Sequence, residues 1–463
     1  MTNQIIETIP QKVKDVYSKL ESAGFEVYLV GGCVRDLLTN ILVKDWDITT
    51  NAPPEKVQEV FPNSFYDNLY GTVGVPFETS EKTVSDTEEK LYAEVTTFRT
   101  DHDYVDHRHP GKVEWGKTLK DDVLRRDFTI NALAIKINED DIEIIDLVNG
   151  QEDLKKKLIR AVGEADKRFK EDSLRLLRAI RFSSQLEFSI EEKTLDAIKK
   201  DAHLIEHVSH ERIRDEVMKI LASNRSYEGM ILLDEIGILD VIFPELTRGK
   251  GVSQSRPGRH HTTDVFTHNM LSLKETPSKN PLVKFAAFLH DVGKPYVADT
   301  DEQGLVIFYN HEVVGARIAK DIAERLKFSN KDKEKIYTLI RWHMFTVDEH
   351  ITDSAIRRFI RRVGLENVKD IIDLRIGDRL GGGTQTAESW RLRKFKERLE
   401  EQLNPPFSIN DLVIDGNDIM KELEIKPGRR VGEILQKLFE EVDEDLSKNN
   451  REYLMTRLEE YKS

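Results

Sequence analysis

A strand that ends in two glycines, followed by a helix and an acidic strand, is the feature that most constrains this chain. YLVGGCVRD predicts a buried strand that reaches Gly31 and Gly32, and CVRDLLTN begins the next helix. Glycine lets the backbone approach a ligand closely, and the start of a helix offers unpaired N–H groups to phosphate. Arg35 lies one turn into that helix. The pattern predicts a phosphate-binding turn.

Two acids follow in KDWDITT, which predicts a second strand. Asp45 and Asp47 are two residues apart, so we expect their side chains to project from the same face. Two carboxylates placed in this way can hold Mg²⁺ against triphosphate oxygens. A lone D-x-D is usually a solvated strand edge, but here it follows the glycine turn closely. The combination favours a nucleotide site.

Composition and charge limit the class of protein. The chain has 463 residues, which suggests roughly three domains. No apolar run approaches the roughly 20 residues of a membrane span, which excludes a membrane protein. The N-terminus does not resemble a secretory signal, and the single cysteine, Cys33, cannot form an internal disulfide. We therefore expect a cytoplasmic protein.

The charge is unevenly distributed. A net charge of −14 argues against a generic polyanion binder. Between Lys155 and Arg181, however, ten Lys and Arg residues stand against four Asp and Glu. A basic strip on an acidic body predicts selective binding of one phosphate-rich ligand. The alternative is a solvated helix face.

Apolar periodicity divides the chain into a mixed part and a helical part. The first 150 residues combine predicted helices at 10–23 and 54–61 with the strands FEVYLV, DWDITT and KLYAEVTTF. The remainder is mostly helical, with long helices expected at 164–183, 210–221 and 317–326. We expect four domains, at residues 1–150, 151–245, 246–400 and 401–463.

Two further motifs combine arginines with acids. DDVLRRDFTINALAI, residues 121–135, surrounds a helix start with Arg125, Arg126, Asp127 and Asn131. In RFKEDSLRLLRAIRF, residues 168–182, Asp172 and Arg175 are one predicted helical turn apart, and Arg178 and Arg181 continue the row. A carboxylate beside a guanidinium can pair with the edge of a base that carries an exocyclic amine. Taken alone, both motifs also fit salt-bridged helices without a ligand.

Histidines and acids are concentrated in the helical body. The set comprises His268, His290, Asp291, His311, His343 and Asp378. An upstream His, an adjacent His-Asp pair after an apolar helix and a distant Asp predict an octahedral metal site. A buried capping histidine is the alternative for each one taken singly. We rank His311 and His343 below the other four, as ligands of a second metal or of phosphate.

Together these motifs resemble those of the class II tRNA nucleotidyltransferases, the family of CCA-adding enzymes and bacterial poly(A) polymerases. The resemblance covers nearly the whole chain. It implies an α+β fold: a polymerase-β-like head with a mixed sheet and helices, then an elongated all-α neck, an HD-type body and a tail. It also implies that the polar segment 98–115, which predicts a surface hairpin, helps to switch specificity from C to A.

The resemblance implies roles for individual residues. Asp45 and Asp47 hold Mg²⁺ and are catalytic, and Glu94 is either a third carboxylate there or an exposed strand residue. Nucleotide binding is implied for Gly31, Gly32, Arg35, Arg126, Asp127, Asn131, Asp172, Arg175, Arg178 and Arg181. Among these, Arg35 and Arg126 contact the triphosphate, Asp127 and Asn131 lie near the ribose, and Asp172 and Arg175 select the base. His268, His290, Asp291 and Asp378 form the HD site, with a transition metal or Mg²⁺.

The implied function is addition of the 3′-terminal CCA to tRNA, with CTP and ATP as substrates and contacts to the acceptor stem and 3′ end. The HD site implies phosphatase, 2′-nucleotidase or cyclic phosphodiesterase activity, without a choice among them. An A-adding enzyme and a poly(A) polymerase share these motifs, although the ending LEEYKS lacks the long basic extension of poly(A) polymerases. Oligomeric state stays open.

Two other classes of protein fit less well. HD-type signalling nucleotidyltransferases, such as the uridylyltransferase of nitrogen regulation and alarmone synthetase-hydrolases, lack E-D-x-x-R after R-R-D-F-T. A non-catalytic RNA-binding protein has no chemical need to keep both the metal-binding pair, Asp45 and Asp47, and the base-selecting pair, Asp172 and Arg175. An enzyme of the transferase family is therefore the prediction.

Overall fold

The structure is a computed structural model and describes most of the chain. It covers residues 2–66, 71–77, 92–104, 110–116, 118–138, 141–254, 263–345, 347, 351–403 and 408–462. The chain divides into two compact units, one of residues 1–247 with 325–327 and one of residues 248–324 with 328–463. Among the described residues, no helix is long and apolar enough to cross a membrane. The finer domain boundaries stay predictions.

The first unit opens with a mixed sheet and short helices. The helices are α1 (Thr2–Thr8), α2 (Gln11–Ser22), α3 (Gly32–Leu38), α4 (Pro54–Val60) and α5 (Leu119–Leu124). The strands are β1 (Val27–Val30), β2 (Asp47–Thr50), β3 (Phe65–Tyr66), β4 (Thr72–Pro76), β5 (Tyr92–Thr97), β6 (Arg99–Tyr104), β7 (Pro110–Trp115), β8 (Ala134–Ile137) and β9 (Ile142–Ile145). Seven strands pair in the order β3-β4-β5-β2-β1-β8-β9. Only β2 and β5 run parallel within this sheet, so the predicted mixed sheet is confirmed.

Apolar patterning explains which strands are central. The run VYLV forms β1, where Leu29 and Val30 are buried between β2 and β8. β5 alternates, with Ala93 and Val95 buried and Glu94 half-exposed on the other face. The predicted hairpin at 98–115 is formed by β6 and β7, which pair with each other. Residues 105–109 of that hairpin lie outside the described residues.

Helices dominate the rest of the first unit. They are α6 (Gly150–Lys156), α7 (Ala165–Glu171), α8 (Leu174–Leu186), α9 (Glu192–Asp201), α10 (His210–Leu221), α11 (Ser226–Glu235), α12 (Ile238–Ile242) and α13 (Pro244–Thr247), with the short strands β10 (Leu158–Ile159) and β11 (Ser189–Ile190).

The single helix expected over 164–183 is wrong. The chain breaks between α7 and α8 at Asp172, whose backbone is extended with φ −143° and ψ 102°. The Asp172 carboxylate accepts a hydrogen bond from the Leu174 N–H, a local bond that competes with helix continuation. Asp172 therefore stands before α8, and it does not share a helical turn with Arg175.

The second unit is almost entirely helical. Its helices are α14 (Val265–Glu275), α15 (Pro281–Leu289), α16 (Lys294–Val297), α17 (His311–Arg325), α18 (Asn330–Trp342), α19 (Asp353–Val363), α20 (Val368–Gly381), α21 (Trp390–Leu403), α22 (Gly416–Leu423), α23 (Arg429–Glu444) and α24 (Arg451–Glu459). One short hairpin joins β12 (Asp299–Thr300) to β13 (Val306–Ile307).

Two apolar patterns position the helices of this unit. α15 reads PLVKFAAFL and is buried on nearly all sides, as expected for a helix without a polar face. The tail helices α22, α23 and α24 pack around a core of their own that includes Ile419, Leu438 and Leu454. α17 begins six residues earlier than expected, at His311, and the His311 ring donates to the Phe308 carbonyl at the helix start.

Candidate functional site

The glycine turn after β1 brings Asp47 and Arg126 together. Gly31 has φ +77°, a conformation that residues with side chains rarely adopt. A Cβ atom there would lie 3.1 Å from Asp47 Oδ2 and 3.1 Å from Arg126 Nη1. The missing side chain therefore leaves space for a carboxylate and a guanidinium at the end of β1.

The acids predicted to hold magnesium lie at the start of β2. The strand begins at Asp47, so Asp45 precedes it and the expectation that both lie on the strand is wrong. Pairing with β5 starts at Asp47, which stands opposite Glu94. Asp45 is exposed and Asp47 is half-buried. Carboxylate oxygens are the hard donors that Mg²⁺ prefers, so this donor set fits the ion.

A cavity of about 370 Å³ opens beside Asp47. Its lining includes six arginines and three acids, namely Asp47, Arg99, Arg125, Arg126, Asp127, Asp172, Arg175, Arg178 and Arg212. A surplus of guanidinium groups over carboxylates attracts a polyanion. The cavity can therefore take a ligand with several phosphates.

One buried acid orients two of these arginines. Asp122 is fully buried, and its carboxylate accepts from Arg125 Nη2 at 2.5 Å and from Arg126 Nη2 at 2.8 Å. Burial alone would raise the pKa of this carboxyl, but the two guanidinium groups outweigh burial and lower the pKa. Asp122 is thus an anion that fixes both arginines at the edge of the cavity.

A second buried acid, Asp127, links the head to α8. Its carboxylate accepts from the Phe128 N–H at 2.8 Å, from Asn131 Nδ2 at 3.2 Å and from Arg178 Nε at 2.7 Å. Asn131 in turn accepts from Arg35 Nη1 at 2.7 Å. Burial would raise the pKa of Asp127, but the Arg178 guanidinium outweighs it and the pKa falls to about 2. Four residues of the predicted nucleotide site thus form one connected network.

Arg181 lies behind the cavity and does not line it. Its Nη1 pairs with Glu216 Oε1 at 3.1 Å, and only 7% of the residue is exposed. The guanidinium also stacks 4.1 Å from the centre of the Phe182 ring. Arg35 and Arg178 lie 5.3 Å from the same ring, so three cations pack around Phe182. This packing supports the cavity wall.

Asp172 and Arg175 both reach the cavity but hold other partners. Arg212 of α10 donates to both Asp172 oxygens, at 3.0 and 2.8 Å. Arg175 donates to Glu171 Oε2 at 2.7 Å and to the Arg125 carbonyl at 2.9 Å. A bidentate arginine fixes the plane of the Asp172 carboxylate. Arg212 therefore orients this acid in the structure.

The histidines and acids of the second unit form a buried cluster. His268 lies in α14, His290 and Asp291 follow α15, and Asp378 lies in α20. His268 Nε2 is 3.3 Å from Asp291 Oδ2 and 3.2 Å from Asp378 Oδ1. His268, His290 and Asp378 each offer a donor atom within 4.8 Å of the others, a spacing that fits one metal ion. The four predicted ligands are thus together.

Backbone carbonyls set the orientation of three histidine rings. Nδ1 of His290, His311 and His343 donates to the carbonyl three residues earlier, at 2.8, 2.8 and 2.7 Å respectively. Such bonds fix the tautomer and leave Nε2 as the ligand atom. Burial and the neighbouring His290 lower the pKa of His343 to about 3, so this ring is a neutral donor.

Close packing and cations surround the cluster. A Cβ atom at Gly293 would lie 2.2 Å from the His311 carbonyl, so only glycine lets α17 approach the loop after Asp291. A cavity of about 550 Å³ adjoins Asp291 and Asp378, and Lys294, Arg375 and Arg379 line it. These cations suit a phosphate ester beside the predicted metal ligands.

Three regions of the chain match known protein families. Residues 27–160 match the poly A polymerase head domain, 187–249 match the probable RNA- and SrmB-binding site of polymerase A, and 261–380 match the HD domain. The CCA-adding enzyme of Ligilactobacillus salivarius (strain UCC118) is 31% identical over 95% of this chain and 94% of its own. The chain belongs to the tRNA nucleotidyltransferase family. Within this family, the A-adding tRNA nucleotidyltransferase of Deinococcus radiodurans is 32% identical over 89% of this chain and 90% of its own.

A solved structure shows the same fold. The crystal structure of the Bacillus stearothermophilus CCA-adding enzyme in complex with CTP aligns with a TM-score of 0.70 and 26% identity, over 97% of both chains. Family membership and this alignment confirm the predicted fold class, a mixed-sheet head followed by helical domains with an HD-type body. The roles of individual side chains stay predictions.

Sequence reasoning missed three charged residues of the transferase site. Asp122 lies within DDVLRRDFTINALAI, one turn before Arg126, but nothing in that motif predicts that its side chain is buried. Arg212 and Glu216 lie in α10, far along the chain from the acid and the arginine that they bind. Glu216 falls on the buried face of α10 with Ile213, and a carboxylate on an apolar face is a signal that a buried cation stands opposite.

Proposed function

We propose that this chain adds C, C and A in turn to the 3′ end of tRNA, using CTP and ATP. The observation that carries the proposal is the cavity beside Asp47, where the acid predicted to hold metal and the pair predicted to select the base line one space. The full-length similarity to CCA-adding enzymes supports it. Substrates of this kind and the single cysteine fit a cytoplasmic enzyme.

The transferase step assigns distinct tasks to the residues of the head. Asp45 and Asp47 would hold Mg²⁺, which when bound activates the primer hydroxyl and neutralises the leaving pyrophosphate. Arg126, fixed by Asp122, binds triphosphate oxygens. Arg35 is predicted to contact the triphosphate, but it donates to Asn131 and does not line the cavity, so we assign it to holding Asn131 and Asp127 in place beside the ribose. Gly31 and Gly32 give the triphosphate room to approach the backbone.

Base selection rests on Asp172 and Arg175. Asp172 accepts from the exocyclic amine that C and A both carry, and Arg175 donates to a ring nitrogen or carbonyl of the base. UTP carries a carbonyl oxygen where C carries its amine, so the Asp172 carboxylate would face an acceptor in place of a donor. Arg178 fixes the Asp127 carboxylate. Arg181 pairs with Glu216 of α10 and so anchors α8, the helix that contains Arg175.

Arg212 should contribute to selectivity because it fixes the Asp172 carboxylate. We expect Arg212→Gln to lower the ratio of CTP to UTP incorporation about tenfold, since one oriented hydrogen-bonding pair contributes about 1–3 kcal/mol of discrimination. Single-nucleotide extension of a tRNA transcript with each nucleotide measures the ratio. Glu211→Gln, an exposed change at the previous residue, is the control and should leave the ratio unchanged. Equal ratios in both variants would remove Arg212 from base selection.

The basic strip should contact tRNA through exposed lysines. Lys155, Lys156 and Lys157 are exposed, and the Lys156–Glu152 pair is a surface pair of little strength. We expect alanine at all three positions to weaken tRNA binding and to lower the slope of log Kd against log salt by about two. Fluorescence anisotropy over a KCl series measures both.

A matched control uses exposed lysines elsewhere. Alanine at Lys331, Lys421 and Lys426 removes the same charge outside the strip and should leave the slope unchanged. If both triple variants lower the slope equally, the strip has no special role in tRNA binding.

An A-adding enzyme is the second candidate, because the Deinococcus radiodurans relative of that name is similar over most of the chain. Such an enzyme would extend only tRNA that already ends in CC. A poly(A) polymerase would add long A tracts to any RNA. The length and order of the added nucleotides therefore separate the three activities.

We further infer that the HD cluster hydrolyses phosphate esters at RNA ends. The observation that favours this is the placement of Lys294, Arg375 and Arg379 around the cavity beside Asp291. A metal held by His268, His290, Asp291 and Asp378 would supply an activated water when bound. Turnover of nucleoside 2′-phosphates and 2′,3′-cyclic phosphates that is lost in His290→Ala would support it. Equal turnover in that variant would exclude it.

A further inference from the structure

We propose that Thr72, Thr96 and Arg99, which together line one side of the head cavity, bind the last phosphodiester of the RNA primer. We call these three residues the primer wall. This inference rests on the proposed transferase function, and it assigns a ligand to three cavity residues that none of the roles above includes. It also states the side from which the primer 3′-hydroxyl reaches Asp47.

The order of the strands separates two sides of the cavity. β2, which begins at Asp47, pairs with β1 on one side and with β5 on the other, and β4 lies beyond β5. Gly31 and Arg126 lie on the β1 side. Thr96 of β5 and Thr72 of β4 lie on the other side. Because neighbouring strands are about 4.8 Å apart, β4 is about 10 Å from β2 across the sheet.

Nucleotidyl transfer requires a different occupant on each of these sides. The attacking hydroxyl and the leaving pyrophosphate stand roughly in line, on opposite sides of the phosphorus atom. The triphosphate is assigned to the side of Gly31 and Arg126, so the hydroxyl must arrive from the side of β5 and β4. The phosphodiester that joins the last nucleotide to the rest of the primer then lies over the primer wall.

The two threonines of the primer wall offer a hydroxyl donor. Their Oγ1 atoms lie 3.1 Å apart in a cross-strand pair. One hydroxyl donates to the other, which leaves one proton of the pair for an acceptor in the cavity. Thr49 Oγ1 donates to the Thr96 carbonyl at 3.1 Å, so this part of β5 is held by side-chain as well as backbone bonds. Threonine hydroxyls commonly donate to nucleic-acid phosphates.

Arg99 adds a positive charge beside the two hydroxyls. It is the first residue of β6 and is half-buried at the cavity. The Gly116 N–H donates to the Phe98 carbonyl at 2.7 Å, and a Cβ atom at Gly116 would lie 3.1 Å from Arg99 N. The two ends of the hairpin therefore meet closely, which holds the Arg99 backbone in place. A guanidinium presents parallel N–H donors that match the oxygens of a phosphodiester.

An exposed tryptophan beside the primer wall favours RNA over a free anion as the ligand. Trp115 pairs with Arg99 across the hairpin, and it is 42% exposed. A Cβ atom at Gly71 would clash with the Trp115 ring, so glycine lets the ring pack against the residue before Thr72. Proteins recognise single-stranded RNA by stacking unpaired bases on aromatic side chains. A base platform and phosphate donors thus lie side by side.

The test combines a change in the protein with a change in the primer. A tRNA that ends at the discriminator base is prepared with an uncharged methylphosphonate in place of its last phosphodiester. Single-turnover addition of C by the full chain is measured at saturating CTP. We expect the methylphosphonate to slow the natural protein by about 10- to 100-fold, the usual effect of losing a hydrogen bond between charged groups.

Arg99→Gln should slow addition to the natural primer by a similar factor. The methylphosphonate should then slow this variant by no more than about threefold further, because the two changes remove the same interaction. The KM for CTP should stay within about twofold, since CTP lies on the other side of the cavity. A purely structural role for Arg99 would not reduce the methylphosphonate penalty.

Two further variants control the measurement. Arg126→Gln removes a guanidinium from the opposite side of the cavity, so it should raise the KM for CTP and keep the full methylphosphonate penalty. Thr72→Val with Thr96→Val keeps the side-chain shapes and suits β-strands. This pair should reduce the penalty about threefold, and it tests the primer wall even where Arg99→Gln does not fold.

The outcomes separate this inference from the proposed function. A natural protein that adds no nucleotide to the natural primer overturns both. A natural protein that adds C equally fast to both primers overturns the primer wall alone. A full penalty in Arg99→Gln and in the valine pair also overturns it, and a raised KM for CTP in Arg99→Gln would then assign Arg99 to the nucleotide.

Discussion

Replacing Asp47 by asparagine is expected to lower the rates of CTP and ATP incorporation by about three to four orders of magnitude. The change keeps the shape of the side chain but removes the charge that would hold Mg²⁺, and metal stabilisation of a transition state contributes several kcal/mol. Asp47 is half-buried at the start of β2, against Gly31, so the amide fits the same space. tRNA affinity should stay within about twofold because the RNA contacts proposed above, at Lys155, Lys156 and Lys157, do not involve Asp47.

The measurement is single-turnover extension of a labelled tRNA, with anisotropy for tRNA binding. Asp15→Asn removes the same charge from an exposed position on α2 and serves as the matched control, with no expected loss. Retention of more than about a tenth of the activity by Asp47→Asn would contradict a metal-dependent role for this acid. Glu94→Gln, opposite Asp47 on β5, shows whether a third carboxylate takes part.

Asp122→Asn is expected to lower the free energy of unfolding by about 3 kcal/mol, because it leaves two guanidinium groups without their buried anion. The carboxylate is fully buried and bonds Arg125 and Arg126 through separate oxygens. An amide can accept through one oxygen only, and its NH₂ group would face an arginine. Urea titration followed by circular dichroism measures the change, and the KM for nucleotide should rise because Arg126 loses its orientation.

The neighbouring acid provides the control. Asp121 is half-buried and completes a capping box with Thr118, so Asp121→Asn should cost no more than about 1 kcal/mol. Because the pKa of Asp122 is held below its usual value, the stability it contributes is present above about pH 5. That contribution is lost as the pH falls through the lowered pKa. A difference between wild type and Asp122→Asn that does not shrink at low pH would contradict this assignment.

The local secondary structure around the head site is predictable from the sequence because residues adjacent along the chain determine it. The run VYLV, the glycine turn at Gly31 and the helix after it are adjacent along the chain, and apolar periodicity marks each one. The HD residues are predictable by type and order for a related reason. Histidines next to an apolar helix such as α15 have few roles other than capping or ligation.

Pairings between distant segments are not predictable in the same way. Arg212 binds Asp172 across 40 positions of sequence, and Arg181 binds Glu216 across 35. The local sequence of each motif does not predict these partners, because it is the packing of α8 against α10 that brings them together. The break at Asp172 also depends on a side-chain bond to the Leu174 N–H, which competes with a helical pattern that looks continuous.

The orientation of the Asp291 carboxylate is likewise not predictable from the local sequence. The sequence places Asp291 next to His290, but which histidines each oxygen faces depends on where α17 and α18 meet the loop. That placement depends on the close approach of α17 to Gly293. The need for glycine at this position is evident only from the fold, because a Cβ atom there would clash with the His311 carbonyl.

The most direct test of the proposed function is extension of tRNA transcripts that end at the discriminator base, at C and at CC, with labelled CTP and ATP supplied separately and together. The purified full chain should add two C residues with CTP alone to the shortest transcript. With both nucleotides it should add C, C and A and then stop. Addition of A to the CC end alone, or of long A tracts to any RNA, would contradict the proposal that one cavity beside Asp47 selects C and then A.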